Sequence, residues 1–165
     1  MKHSKKRMGK IVALLGLFIA VEIACSCQST FAQSQGDQAV INTFIGRQKK
    51  REAAAEYKEA RSIMRGDLDG DVNEDTVVLY TLEGHRGTNQ YVQYLAVFIK
   101  RGGRLLYVTH QAVGGKNRRA IDSLLIRDGK INLQTQEYLP NDPSCCPSKK
   151  GRMSFILRRG RLRRV

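Results

Sequence analysis

The sequence predicts an α+β domain, one N-terminal helix packed on an antiparallel meander of about seven strands. Three observations lead there. Val40, Ile41, Phe44 and Ile45 recur at the spacing of one helix face. From residue 60 onward the apolar runs become short and strand-like. Glycine-bearing turns, of which Asp128-Gly129 is the strongest two-residue hairpin signal, separate those runs.

The first 32 residues read as a segment removed on export. Lys2, Lys5, Lys6, Arg7 and Lys10 make a positive start, and Ile11 to Ala24 is apolar apart from Glu22. Thr30 and Ala32 then offer the small residues a signal peptidase requires. The apolar run is shorter than the ~20 residues of a spanning helix. Lipid attachment at Cys25 or Cys27 is the alternative. It would want a Leu-like residue three positions earlier, where Glu22 and Ala24 stand. A mature chain of residues 33–165, periplasmic or secreted, is expected.

In that chain Asp37 is a candidate N-cap, and the alanine-rich, charged stretch Arg47 to Glu59 continues the helix for part of its length. Ala60 to Arg65 reads as a strand entering an acidic loop, and Val77 to Leu82 as the strand leaving it. Tyr91 to Lys100 contains Leu95-Ala-Val-Phe-Ile99, apolar on both faces as in a central buried strand. Leu105 to Val113, Ala120 to Arg127, Ile131 to Leu139, the alternating Met153, Phe155 and Leu157, and a last turn at Gly160 into Leu162 to Val165 complete the meander.

Composition narrows the functional classes. The whole chain carries a net charge of +14; residues 1–32 hold five of the positive charges and Glu22, leaving +10 on the remainder. Roughly 130 residues make one domain with one core. Only His85 and His110 remain as histidines there, a thin supply of catalytic bases. The positive balance points to anionic partners, envelope polyanions ahead of nucleic acid.

The densest chemical signal is Arg65-Gly-Asp67-Leu-Asp69-Gly-Asp71-Val-Asn73-Glu-Asp75. Asp67, Asp69, Asp71, Asn73 and Asp75 place oxygen-bearing side chains at every second position. Such a concentration repels itself unless it is solvated, hydrogen-bonded or wrapped around a hard cation. An EF-hand would need glutamate twelfth from Asp67, where Val78 stands, and helices on both sides rather than strands. A solvated turn built on Asp69-Gly70 is the plainer alternative.

The pattern Asp-x-Asp-Gly-Asp-x-x-x-Asp between strands resembles the calcium loop of FG-GAP repeats, found in integrin-type propellers and secreted bacterial proteins. That resemblance covers about residues 60–82. It implies side-chain oxygens from Asp67, Asp69, Asp71 and Asp75, the backbone carbonyl of Asn73, and a structural calcium ion. A single copy cannot build a propeller. The family usually has glycine where Val72 stands, a steric liability if that position needs positive φ. The combination with a Cys-Cys-Pro stretch is similar to that of small secreted bacterial proteins, a likeness that implies no activity.

Cys145 and Cys146 lie in a loop stiffened by Pro143 and Pro147. In an oxidising compartment they are expected either as a vicinal disulfide or as two buried thiols. A small thiol-dependent hydrolase or redox protein, pairing one of them with a histidine, is the enzymatic alternative to a binding domain. Finally, Arg158, Arg159, Arg161, Arg163 and Arg164 crowd the C-terminus, with Lys116, Arg118 and Arg119 as a possible extension. They read either as a solvated strand face with protective edge charges or as a patch for an anionic envelope polymer or an unknown protein. Nucleic acid is disfavoured, because no binding motif or aromatic platform accompanies the charge.

Overall fold

The computed structural model describes residues 34–165; the expected signal segment, Cys25 and Cys27 lie outside the described residues. No helix among the described residues is long and apolar enough to cross a membrane. The sheet and its packing belong to the unit Val40–Val165.

Helix α1 occupies residues 34–52, so Asp37 sits inside the helix rather than at its start. The helix ends at Ala53, whose φ of 47° is left-handed. Eight antiparallel strands follow: β1 (Ala55–Gly66), β2 (Asp75–Glu83), β3 (Tyr91–Arg101), β4 (Arg104–Gly115), β5 (Arg119–Arg127), β6 (Lys130–Glu137), β7 (Lys149–Arg158) and β8 (Arg161–Arg164). Their order in the sheet is their order in the sequence. The count is eight rather than about seven, and the segment after the Gly160 turn, Arg161–Arg164, pairs in register with β7 as the last strand.

β1 also begins earlier than its sequence suggests. Ala55, Glu56 and Tyr57 pair with Glu83, Leu82 and Thr81, and pairing resumes at Ser62↔Leu79 after a wide bulge. Arg61, within the bulge, holds Glu56 through two bonds of 2.7 Å and donates to Asn42 Oδ1 of α1 at 2.7 Å. The helix-favouring composition of residues 55–59 is thus overridden by strand pairing.

β2 and β3 are buried on both faces. Val78, Tyr80, Leu82, Ala96 and Phe98 pack with Ile41, Phe44 and Ile45 of α1. Val77, Leu79, Leu95, Val97 and Ile99 share a second core with Ile121, Leu124, Ile131, Leu133, Met153 and Phe155 of β5–β7. The sheet therefore folds across itself. The crease is Gly114-Gly115, and the only β4–β5 pairing is Gly115↔Arg119. A Cβ on Gly114 would lie 2.7 Å from Gln93 Oε1 and 2.9 Å from the Arg119 carbonyl, so only glycine allows the strands so close. Where β4 peels away, the Gln93 amide takes its place. It accepts from Ile121 N–H at 2.8 Å and donates to Ile121 C=O at 3.3 Å, as a strand peptide would.

Candidate functional site: the acidic loop

Residues 67–74 join β1 to β2, and Leu68 anchors them. That leucine is buried in the core between the two halves of the sheet, while Asp69, Asp71, Val72 and Asn73 are exposed. Asp75, fully buried at the start of β2, accepts from Leu68 N–H at 2.9 Å through Oδ2 and from Lys100 N–H at 3.0 Å through Oδ1. It fastens the loop to the end of β3. Burial pushes its carboxyl above the usual range, opposed by those two N–H donors and reinforced by the charges of Asp69 and Asp71.

Asp67 organises the turn itself. Oδ1 accepts from Gly70 N–H at 2.7 Å and Asp69 N–H at 3.2 Å, and Oδ2 from Val72 N–H at 3.0 Å. The Gly70 and Val72 donors hold its carboxyl below the usual range, which keeps it anionic. A carboxylate oxygen has two lone-pair directions, so Oδ2 retains one for a further partner. Asp71 Oδ1 accepts from Asn73 N–H at 2.9 Å. Val72 adopts φ 68°, the left-handed conformation that makes a β-branched residue costly there.

Oxygens of Asp67, Asp69 and Asp71 lie within 4.8 Å of one another, close enough to hold a metal ion, although exposed acidic groups are common without one. Asp75 stands outside that group of carboxylates. Arg101 reaches the cluster, with its Nη2 3.4 Å from Asp69 Oδ2. With the Arg101 side chain largely exposed this pair contributes little stability, and a cation could displace it. The sequence reading missed the separate roles of Leu68 and Asp75. Their signal was one apolar residue inside an acidic run, and one acid set against an apolar strand.

The other expected sites lie elsewhere. Cys145 and Cys146 are joined to each other and exposed, so the alternative of two buried thiols does not hold. Their loop is laced by Asp142, which accepts from Leu139 N–H at 2.8 Å, Ser148 N–H at 2.9 Å and Ser148 Oγ at 2.8 Å. The two histidines are engaged away from the sulfurs. His85 Nε2 meets the Leu82 carbonyl at 3.2 Å. His110 Nε2 lies 3.1 Å from Arg51 Nη2, and its Nδ1 lies 2.7 Å from Tyr107 Oη. A guanidinium can only donate, so Nε2 is the acceptor and Nδ1 carries the proton toward Tyr107. Arg119 turns toward Met153 and Glu137 rather than extending the C-terminal arginines.

The chain matches no protein-family model, no curated protein and no solved structure. Function therefore rests on the site.

Proposed function

We propose that this chain is an exported, non-enzymatic binding domain of the bacterial envelope whose acidic loop holds a structural calcium ion. The observation that carries the proposal is the convergence of Asp67, Asp69 and Asp71 on a turn already ordered by Asp67. Hard oxygen ligands of this kind suit calcium. Asp75 and Leu68 support the same reading, since they would couple an ion in the turn to the β3 end and the core. The partner is a protein or an anionic envelope polymer met by the C-terminal arginines, and the compartment is periplasmic or extracellular.

Thermal unfolding of the purified protein in millimolar calcium, millimolar magnesium or chelator tests this, beside Asp69→Ala. A midpoint raised by calcium and not by magnesium, with the rise abolished in the variant, is the expected result of binding linkage. At 100 times the dissociation constant the gain is about 2.7 kcal/mol. An identical midpoint in calcium and chelator would return the loop to a solvated turn.

A further inference from the structure

The outward face of β5–β8 carries charge that the fold does not use. Strand alternation points Gln134 and Gln136 of β6, and Lys150 and Arg152 of β7, away from the core, paired as Gln134↔Arg152 and Gln136↔Lys150. Asp122 joins them from the bulge in β5, accepting from Gln136 Nε2 at 3.0 Å. These five side chains, with Thr135 and Gly151, line a cleft of about 560 Å³. The same face continues over Arg158, set directly opposite Arg161, and Arg163 opposite Ile156.

Among the described residues no ion pair links Lys150, Arg152, Arg158, Arg161 or Arg163 to a carboxylate. Like charges facing each other across a strand pair cost stability. Protection of an exposed edge explains the charges on β8. It also bears on Lys150 and Arg152, because β8 pairs only with Phe155–Arg158, but it does not account for the amides of Gln134 and Gln136 and the carboxylate of Asp122 that line one cleft with them.

The geometry points to an acidic-glycan site on this face, with the cleft as its centre. Lys150 and Arg152 would meet the carboxylates of uronic-acid units. The planar amides of Gln134 and Gln136 can each donate and accept, which matches sugar hydroxyls, and the Asp122 carboxylate accepts from a hydroxyl but repels a bare polyanion. No aromatic ring lines the cleft to stack a nucleobase, and no large apolar side chain lines it to enter a bilayer. The assignment rests on the reading of the chain as an envelope-binding domain and is independent of calcium at the acidic loop.

Binding of the purified protein to oligogalacturonate, inorganic polyphosphate and single-stranded DNA of matched charge, measured in chelator, tests it. The expected order places oligogalacturonate tightest. Arg152→Ala should weaken binding to both oligogalacturonate and polyphosphate about tenfold, the scale of a lost charged hydrogen bond. Gln134→Ala should weaken oligogalacturonate about fivefold and leave polyphosphate unchanged. Gln136→Leu provides the same comparison if the first variant fails to fold, and Lys58→Ala, exposed in the bulge of β1, is the control. Polyphosphate or DNA binding as tightly as the glycan, equal glycan binding by the glutamine variants, or no glycan binding would each overturn the assignment. Because calcium is absent throughout, a failure here leaves the calcium result standing, and the reverse holds as well.

Discussion

Asp75 holds the backbone of two separate segments with one carboxylate, Leu68 through Oδ2 and Lys100 through Oδ1. Two acceptors are needed, and an amide offers only one. Asp75→Asn is therefore expected to leave one buried N–H facing an NH₂ group and to destabilise the fold by about 1–3 kcal/mol. Urea unfolding checks this, and an unchanged midpoint would show that the loop does not depend on the bridge. At this scale the sequence was legible in residue type and not in role. Five oxygen-bearing residues at alternate positions announced a site, yet nothing in that regularity distinguished the buried Asp75 from the exposed Asp69 and Asp71. The distinction arises from Leu68 entering a core whose other wall comes from strands more than fifty residues away. Val72 has a φ of 68°, a conformation that only the resemblance of the loop raised as a condition and that nothing in a β-branched residue signals.

Among the elements, turns and central strands were the most readable. Asp128-Gly129 forms the turn it signals, with positive φ at both residues, and Arg159-Gly160 does the same. The doubly apolar β3 is buried on both faces, by α1 on one side and by β5–β7 on the other. The start of β1 was not readable, because Ala55 to Glu59 favours a helix locally and becomes strand only through its partner. The crease was half legible. Gly114-Gly115 marked a turn, but its sharpness depends on Gln93, whose polar side chain in an apolar strand gave no hint that it stands in for a backbone. Gln93→Ala should strand the Ile121 N–H and C=O and lower stability by about 2 kcal/mol. Gly114→Ala should be at least comparably harmful, since its Cβ would meet backbone and a Cγ1 at 3.0 Å or less. If urea midpoints for both variants matched the parent, the crease would not be holding the two halves of the sheet together.

For the whole molecule, pH should act through the contact between α1 and β4. Burial, and then the Arg51 guanidinium, lower the His110 imidazole below its ordinary value of 6.5, with Glu52 opposing. The folded state then binds fewer protons than the unfolded chain just below that value. Stability from this group is complete above pH 6.5 and is lost as the pH falls through the window beneath it. Thermal midpoints between pH 7.5 and pH 5 should fall more for the parent than for His110→Gln, and parallel curves would remove His110 from the account. The order of strands in the sheet bears on a different quantity, the time the chain needs to fold. Each strand pairs with its sequence neighbour, so hydrogen-bonded pairing proceeds by closing one hairpin after another without distant ends having to meet. Short-range closure of this kind favours rapid folding for a mostly β chain. The step that does join distant segments is the docking of β5–β7 onto β2 and β3. That step is where the entropy of a long loop must be overcome, and variants at the crease should slow folding more than variants in the hairpin turns.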